Sequence, residues 1–492
     1  MSKPADNFFV TTSIPYINGE PHIGHTYELL TADVLARYAR QQGKKVILST
    51  GTDEHGGKIQ EKALEQNKEV KQYADDVSER WRAIVPLVNM SSDRFIRTTD
   101  PGHEQRAALI WKALKPHIYK DKYSGWYCTG CESFVTESTA KNNSGTCPIH
   151  QRPYEKLEED NYFFRLSGFS LKISEAISSG SFRIIPNSRK NEVLNMIKEG
   201  PDDISISRPK DKISWGIPVP DDGEQVMYVW FEALMNYITV LGYPEHEDFK
   251  NFWPADYQVI GKDIIRFHAL IWPGMLLGLG IELPKNLYVH GFINIAGQKI
   301  SKSLGNVIHP KQVIDVHGRD PLRYFMLRHT PSHGDGDFTW EKFEAAYNNE
   351  LANELGNTVS RTAAMVKQYE KGIIGNIPPP EHDTASYHEY LLDCHFDKAL
   401  DVVWEQIRGL NQYIDEQKPW EAARQKEPEH LSEMLAYMVS CLLEIAGLLT
   451  PFLPETAERI NKIFASGVIK DEGTVIFPKT AKTQQPSGQE IK

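Results

Sequence analysis

The stretch that decides the fold is SIPYINGEPHIGHTYELLTADVLARY, residues 13–38. The apolar run NFFVTTSI, residues 7–14, overlaps its start and is typical of a buried strand. Apolar residues then recur at the three- and four-residue spacing of a helix, at Ile23, Tyr27, Leu30, Val34 and Tyr38. Gly43 stands where a helix C-terminal cap belongs, and the next strand-like run is KKVILSTGTD, residues 44–53. This alternation predicts a parallel sheet with right-handed crossovers.

The loop between this strand and this helix has the composition of an anion site. In a parallel sheet, the loop at the carboxyl end of a strand is the usual ligand crevice, and the helix directs its positive end and its N–H groups toward it. His22 and His25 lie three apart on the first turn, where both imidazoles can donate hydrogen bonds to phosphate oxygens. Gly24 lacks a Cβ and leaves room for a planar base. The plain alternative is a pair of surface or capping histidines.

A second motif, QKISKSLGN at residues 298–306, supplies cations in a loop bounded by glycines. Its functional groups are two ammonium groups and two hydroxyls, at Lys299, Lys302, Ser301 and Ser303. A mobile loop of this kind suits a polyphosphate whose charge grows as a bond breaks. A solvated basic loop is the alternative, but both motifs in this order, at opposite ends of one α/β region, are much less frequent by chance.

Together, HIGH at residues 22–25 and KISKS at residues 299–303 resemble the paired signatures of class I aminoacyl-tRNA synthetases, although members of the class usually have methionine at the position of Ile300. The chain is most similar to the methionyl-tRNA synthetase family. The similarity extends over nearly the whole chain, through IPYINGEPHIGH, GTDEHG, the cysteine-rich segment, YVWFEALMNY, GKDIIRFHALIWP, ELGNTVSR and QKPW. It implies activation of L-methionine with ATP to methionyl-adenylate, followed by transfer to the 3′ end of tRNA(Met), initiator tRNA included.

In such enzymes no side chain attacks the substrate, because the carboxylate of the amino acid itself attacks the α-phosphate. The protein contributes alignment and charge stabilisation. The resemblance implies that His22 and His25 hold the ATP phosphates, that Gly24 faces the adenine and that Asp263 binds the ribose. It also implies that the KISKS residues Lys299 and Lys302 stabilise pyrophosphate, with Ser301 and Ser303 in the ATP site. Mg²⁺ is expected with ATP.

The family's amino-acid pocket maps onto nine positions: Ile14, Tyr16, Asp53, Trp230, Ala233, Leu234, Tyr237, Phe267 and His268. Asp53 would pair the α-ammonium group, Tyr16 and His268 would flank the sulfur, and Trp230 would close the pocket. Each position also has a plainer interpretation. Trp230 and Tyr237 have the spacing of helical core residues, His268 could be a satisfied core histidine, and Asp53 could cap a helix.

Three of the five cysteines belong to a metal-like pattern, C-x2-C-x15-C-x2-H, made by Cys128, Cys131, Cys147 and His150. Four such ligands predict a closed structural Zn²⁺ site, one per chain, and the family contains members with this single knuckle. Three free cysteines in a loop are the alternative. Cys394 and Cys441 lie in apolar helical patterns and are expected in the core. This cysteine usage favours a reducing, cytoplasmic setting.

The helical pattern beyond residue 340 predicts the part that reads RNA. Asn357 and Arg361 lie four apart on one helix face, and Trp420 follows Pro419 at a predicted helix start. The resemblance implies that these three side chains contact the CAU anticodon; the alternatives are a solvated helix face and packing of Trp420 in the bundle. The net charge of −11 disfavours a general nucleic-acid coat protein but not recognition of one structured RNA through a local basic face.

The predicted fold class is α/β: a Rossmann-like parallel-sheet catalytic domain with a zinc-binding connective insertion and a C-terminal α-helical bundle. The expected divisions are 1–118 and 226–280 for the catalytic domain, 119–225 for the insertion, 281–340 for the connecting region with the KISKS loop, 341–475 for the anticodon-binding bundle and 476–492 for a polar tail. We find neither a signal peptide nor an apolar run long enough to cross a bilayer, and we expect a cytoplasmic protein that is monomeric unless a C-terminal domain is missing.

Two other functions compete with this interpretation. One is a different nucleotidyl-transferring enzyme on the same scaffold, such as the cysteine-specific relative or a small-molecule adenylyltransferase. The predicted helical bundle argues against an adenylyltransferase, which has no anticodon to read. The other is a non-catalytic RNA-binding paralogue, against which the intact His22, His25, Lys299 and Lys302 argue. Relatives for isoleucine, valine or leucine usually carry a large editing insertion, and residues 119–225 are too short for one.

Overall fold

The computed structural model describes residues 6–130, 133–135, 137–149, 151–300, 305–379, 382–469 and 475–479. Contacts between Cα atoms divide the chain into two compact units. The first unit combines the residues up to Pro21 with Lys44–Val85 and Ser92–Val289. The second combines His22–Gly43 and Pro86–Ser91 with the residues from His290 onward. Both units are therefore discontinuous in sequence.

A six-stranded sheet organises the first unit. Its strands are β1 (Asn7–Thr12), β2 (Lys45–Thr52), β3 (Arg94–Arg97), β4 (Arg183–Ile185), β5 (Tyr257–Gly261) and β6 (Asn286–His290). The spatial order is β3-β2-β1-β5-β6-β4. β3, β2, β1 and β5 pair in parallel, as do β6 and β4, which confirms the predicted parallel sheet. The chain order reverses between β1 and β5, and ligands of such sheets bind outside the carboxyl ends of the strands at that reversal.

β4 is an unexpected member of the sheet. Its three residues, Arg183–Ile185, fall within 119–225, the region expected as an insertion, yet they pair with Asn286, Leu287 and Tyr288 of β6. A three-residue strand is too short to show the alternation of apolar and polar residues from which strands are recognised. The sequence therefore gives no sign that the chain returns to the sheet here.

Apart from β4, the strands in the region between β3 and β5 pair antiparallel. Strands Ile118–Cys128 and Glu155–Phe164 form a long hairpin, with Ser133–Val135 and Ile204–Ser205 completing a four-stranded sheet. A second sheet has three strands, Pro218–Val219, Asp222–Met227 and Ser207–Pro209. Phe163 and Phe164 alternate sides along their strand, and the fully buried Phe164 joins the core of the first unit.

Helices cover the parallel sheet. The α-helices of the first unit are Gly57–Glu65, Val70–Leu87 (which extends two residues into the second unit), Pro101–Leu114, Glu137–Asn142, Ser170–Ser179, Asn187–Glu199, Val229–Ala233, Asn236–Thr239, Glu247–Phe252 and Trp272–Gly278. Shorter 3₁₀ turns are Lys115–His117, Leu166–Phe169 and Lys262–Ile264, and Phe267–Ile271 is a π-helical turn. One apolar core joins these elements to the sheet, with Phe9, Phe231 and Trp272 among its fully buried side chains. This burial is the main source of the unit's stability.

The second unit is mostly helical. Its helices are Ile23–Gln41, Pro310–His317, Arg319–Arg328, Trp340–Ala346, the π-helical Tyr347–Gly356, Asn357–Glu370, Ala385–Leu392, Phe396–Gln417, Pro419–Gln425, Pro428–Leu449 and Pro454–Phe464. A small sheet contains Gln298–Lys299, Ile293–Ile295 and Gly336–Phe338. From Trp340 onward, the described part of the chain contains helices and no strand, which confirms the predicted helical region. Cys394 and Cys441 are buried in it, as expected.

One helix of this unit corrects the sequence analysis. Pro428–Leu449 has 22 residues and is long and apolar enough to cross a membrane, although the sequence was expected to contain no such run. Among the described residues it alone meets that criterion, and 67% of its most apolar window is buried inside the protein. Its composition therefore reflects its position as a core helix, packed by the neighbouring helices Phe396–Gln417 and Pro454–Phe464.

A buried ion pair connects the first helix of the second unit with its later helices. Arg323 and Asp33 are both fully buried, and the Arg323 Nη2 atom lies 2.7 Å from an Asp33 carboxylate oxygen. Arg323 also donates hydrogen bonds to the carbonyls of Phe452, Pro451 and Val88. Burial alone would raise the pKa of Asp33, but Arg323, Arg37 and Ser91 together lower it. Asp33 is therefore ionised at neutral pH.

Candidate functional site

A cavity in the first unit gathers most of the predicted amino-acid-binding residues. It encloses about 250 Å³, part of it open to solvent. Its lining consists of Ser13, Ile14, Asp53, Trp230, Ala233, Leu234, Asn236, Tyr237, Ile264 and His268. Seven of the nine predicted positions are in this lining. The size and the mixture of apolar, aromatic and acidic groups suit one amino acid of moderate size.

The parallel sheet explains why these residues meet. Ser13 and Ile14 directly follow β1, and Asp53 directly follows β2. Ile264 and His268 follow the end of β5. The carboxyl ends of parallel strands meet at one edge of the sheet, so chain segments distant in sequence contribute to one crevice. The short helices Val229–Ala233 and Asn236–Thr239 provide the remaining wall.

Two predicted positions lie outside the lining but contact it. Phe267 stacks on Trp230, with ring centroids 3.9 Å apart and planes 13° from parallel. Tyr16 forms an isolated parallel bridge with Asp53, in which the Asp53 N–H donates to the carbonyl of Pro15 and the Ile17 N–H donates to the carbonyl of Asp53. Phe267 thus orients the indole, and the backbone around Tyr16 fixes the position of the buried Asp53.

A hydrogen bond joins two buried lining residues on opposite segments. The Tyr237 hydroxyl lies 2.7 Å from His268 Nε2, and His268 Nδ1 lies 3.0 Å from the carbonyl of Ile264. A carbonyl only accepts, so we assign the His268 proton to Nδ1, and Nε2 accepts from Tyr237. The pair presents polarisable ring surfaces rather than charge to the cavity. That character fits a thioether better than a charged side chain.

Three lining residues, Ser13, Asn236 and Ile264, were not predicted from the sequence. All three adjoin predicted positions: Ser13 precedes Ile14, Asn236 precedes Tyr237, and Ile264 lies four residues before His268. Their place in the chain was the only available signal. Small polar or aliphatic residues of this kind occur throughout any chain and carry no motif of their own.

The imidazole pair lies in the second unit and caps helix Ile23–Gln41. The Gly24 N–H donates to His22 Nδ1 (3.2 Å), and the His22 N–H donates to His25 Nδ1 (3.1 Å). This reciprocal capping box stacks the two rings with centroids 3.7 Å apart. Because each Nδ1 accepts, we assign the proton of the neutral ring to Nε2, which is the donor that a phosphate oxygen requires.

His25 is a neutral donor rather than a cation. The low-dielectric surroundings of its ring, followed by the neighbouring His22 and His290, lower its pKa well below the ordinary 6.5. His290, which the sequence analysis missed, is buried and lies 3.0 Å from the carboxylate of Glu28. A neutral imidazole can donate a hydrogen bond without the large desolvation cost of a buried charge.

The structure brings Gly24 and the beginning of the KISKS segment together. A Cβ at Gly24 would lie 3.0 Å from the Ile300 Cδ1 atom and 3.0 Å from the His22 ring. Lys299 is exposed at the end of a hairpin, with its ammonium 5.6 Å from the centre of the Phe292 ring. The predicted residues Ser301, Lys302 and Ser303 lie outside the described residues.

The other predicted site residues occupy separate places. Asp263 is exposed in the 3₁₀ turn that follows β5, at the same sheet edge as the cavity. In the second unit, Asn357 is exposed and Arg361 pairs with Asp415 at 3.1 Å on the surface. Trp420 is half-buried in helix Pro419–Gln425, which packs on the helix of Asn357 and Arg361. The three side chains therefore lie on adjacent helices.

Two of the four predicted metal ligands are described. Cys128 ends the strand Ile118–Cys128 and Cys147 lies in the loop after helix Glu137–Asn142. Both thiols are buried in a small cluster with Ala140 and Tyr154. Cys131 and His150 lie outside the described residues. Among the described residues, no group of three potential ligands is present.

Comparisons with known proteins agree with this arrangement. The family model for class I tRNA synthetases (M) matches residues 8–156 and 147–363. The methionine–tRNA ligase of Caldanaerobacter subterraneus is 41% identical, and the match covers 92% of this chain and 73% of that protein. The methionine–tRNA ligase of Brucella melitensis is 36% identical, and the match covers 99% of this chain and 97% of that protein. The solved structure of Mycobacterium tuberculosis methionyl-tRNA synthetase with methionyl-adenylate matches at 34% identity and a TM-score of 0.88, covering 96% of this chain and 100% of that chain.

Proposed function

Because the chain belongs to the class I (M) tRNA synthetases, we propose that it is a methionine–tRNA ligase. It activates L-methionine with ATP to methionyl-adenylate and pyrophosphate, and it then transfers the methionyl group to the 3′ end of tRNA(Met). Relatives named methionine–tRNA ligase match over more than nine-tenths of the chain. The similar solved structure that carries methionyl-adenylate supports the same reaction.

The observation that carries the proposal is the cavity that combines Asp53 with Trp230, Tyr237 and His268. The Asp53 carboxylate is the partner for the α-ammonium group of the amino acid. The stacked Trp230 ring and the Tyr237–His268 pair offer apolar and polarisable contact to a thioether. The cavity holds one amino acid of moderate size, and no lining residue is a cation that would repel the ammonium group.

The first step needs no protein nucleophile. A carboxylate oxygen of methionine forms a bond to the α-phosphorus of ATP, and the bond from that phosphorus to the β-phosphate oxygen breaks, releasing pyrophosphate. The Nε2–H groups of His22 and His25 donate to phosphate oxygens, and Lys299 and Lys302 stabilise the growing negative charge. Mg²⁺ accompanies the nucleotide. In the second step a terminal ribose hydroxyl of the tRNA attacks the carbonyl carbon, and AMP leaves.

We further propose a structural zinc site made by Cys128, Cys131, Cys147 and His150. The two described thiols fit this role, because they are buried together in a small cluster that has few apolar side chains of its own. When bound, zinc would cross-link this segment and supply folding free energy, with no part in the reaction.

Recognition of the anticodon is proposed for Asn357, Arg361 and Trp420. An amide, a guanidinium group and an aromatic ring on adjacent helices are the groups that read and stack unpaired bases. We also propose a cytoplasmic location and a division of the chain into two catalytic halves, an insertion, a connecting region, a helical bundle and a tail.

The test is ATP–pyrophosphate exchange with each of the twenty amino acids, followed by charging of a tRNA with a CAU anticodon. We expect exchange with methionine far above that with leucine or cysteine. Asp53→Asn should abolish most of it, whereas Asp93→Asn, a matched change away from the cavity, should cost stability but not methionine affinity. Comparable exchange with cysteine would refute the methionine assignment.

A further inference from the structure

Behind the cavity, Glu232 forms the centre of a buried polar network with two histidines. Its side chain is fully buried; one carboxylate oxygen lies 2.9 Å from His55 Nδ1 and the other lies 2.9 Å from His103 Nε2. The remaining ring nitrogen of His103 lies 2.8 Å from the Thr239 hydroxyl. We call these four residues the Glu232 network. None of the four lines the cavity, so they contact no substrate there.

Two members of the Glu232 network adjoin cavity residues from opposite walls. His55 lies two residues after Asp53, on the segment that follows β2. Glu232 lies between Trp230 and Ala233 on helix Val229–Ala233. The bond between His55 and Glu232 therefore ties the segment that carries the acidic group to the helix that carries the indole.

His103 connects the Glu232 carboxylate to the next short helix, Asn236–Thr239. His103 is buried on helix Pro101–Leu114, and it bridges Glu232 to Thr239. Thr239 ends the short helix that carries Asn236 and Tyr237. Helices of five and four residues have little intrinsic stability, so tertiary contacts must hold them in place. The Glu232 network supplies such contacts to both short helices.

Charge strengthens the network. Burial alone would lower the pKa of His55, but Glu232, with Glu104 and Asp53, raises it to about 10. Glu104 lies 3.7 Å from the other ring nitrogen of His55. Burial would likewise raise the pKa of Glu232, whereas His55 and His103 lower it. The His55 imidazolium is thus the buried cation of the Glu232 network, and it offsets the negative charge of Glu232 beside the cavity.

We propose that Glu232 is a positioning residue for amino-acid binding, which through His55 and His103 holds Asp53 and Trp230 at the separation that the bound methionine requires. This inference rests on the proposed function, since it assigns a role in the same cavity. Glu232 acts through its neighbours and not by contact with substrate. A purely structural network would affect the stability of the fold without changing the affinity for the amino acid.

The test is Glu232→Gln, which keeps the size of the side chain and removes its charge. The glutamine NH₂ group would then face a ring N–H of His55 or His103, and because both groups are donors, one hydrogen bond is lost. We expect the methionine KM in ATP–pyrophosphate exchange to rise about tenfold, because displacements on the order of 1 Å can cost about 100-fold. The KM for ATP should keep its wild-type value. Val193→Ala, a buried change on helix Asn187–Glu199, serves as the control for lost stability.

The inference is overturned if Glu232→Gln lowers the melting temperature as Val193→Ala does while the methionine KM stays at the wild-type value. Should Glu232→Gln fail to fold, His55→Asn decides the question, because the asparagine NH₂ replaces the Nδ1 donor without the charge. We expect His55→Asn to raise the methionine KM about threefold, less than Glu232→Gln does, because the hydrogen bond to Glu232 is kept and only the charge is lost. An unchanged KM would overturn the inference. Failure of the proposed function is separate, since wild-type protein would then not exchange with methionine.

Discussion

Replacing Arg323 by methionine removes the cation from the core of the second unit. Methionine has a similar length but no donor, so it breaks the bond to Asp33 and the bonds to four carbonyls, of which that of Asn89 still accepts from Arg37. Removing one partner of a buried ion pair costs about 3–5 kcal/mol. We take the lower end, because Arg37 and Ser91 still hold Asp33.

The carbonyls of Phe452, Pro451 and Val88 add about 1 kcal/mol each when they lose a donor. The expected total is about 6 kcal/mol, which is comparable with the whole stability of many domains, about 5–15 kcal/mol. Local stability is best measured by native-state hydrogen exchange on peptides from Ile23–Gln41 and Arg319–Arg328, because a chain of several domains does not unfold in one step.

Arg319→Met on the same helix is the matched control. Arg319 is exposed and pairs with Glu455 at 2.9 Å, so its loss should cost less than about 1 kcal/mol. In a double-mutant cycle, Asp33→Asn should destabilise the wild type but partly relieve Arg323→Met, with a coupling of about 2 kcal/mol. If Arg323→Met costs no more than Arg319→Met, or if the two changes simply add, the reasoning about the buried pair is wrong.

Further predictions concern the RNA, the metal and pH. Trp420→Ala should impair charging of tRNA but leave pyrophosphate exchange intact; equal loss of both would indicate misfolding. Purified protein should contain about one equivalent of zinc, and Cys147→Ser less than about half an equivalent. Burial raises the pKa of Asp320 to about 6 from 3.8, so its stabilising contribution is present below pH 3.8 and lost as the pH rises through 6. Asp320→Asn should remove this pH dependence, about 3 kcal/mol, from the opening free energy that hydrogen exchange measures for Arg319–Arg328; an unchanged pH dependence would contradict the assignment.

Local patterns in the sequence predicted the parallel sheet and the helical region beyond residue 340, but not the return of β4 to the sheet. Strands β1 and β2 and the helix between them follow from apolar periodicity, and the positions of Ile14 and Asp53 directly after strands place them at the ligand edge of the sheet. The aromatic members of the cavity depended on resemblance to a family, because Trp230 and Tyr237 have the same spacing as ordinary core residues.

The buried charges could not be predicted. Asp33, Glu54, Glu232 and Arg323 are all fully buried, whereas such residues are almost never buried unless they are paired. Their partners are distant in the chain, as with Glu54, whose two carboxylate oxygens accept hydrogen bonds from Arg97. A single sequence contains no signal for such a pairing, so each of these residues has the pattern of a solvated surface charge.

The pairing of Asp33 with Arg323 also bears on how the protein is made. During translation Asp33 leaves the ribosome early, whereas Arg323 follows only after most of the chain has been synthesised. Until then, Asp33 has only Arg37 of the same helix and Ser91 as partners, among apolar residues that later face the interior. Domains generally fold as they emerge, N-terminal first, but here the first helix of the chain waits for a partner 290 residues later in the sequence. We therefore expect nascent chains to need chaperone protection of this helix until residue 323 of the 492 has left the ribosome.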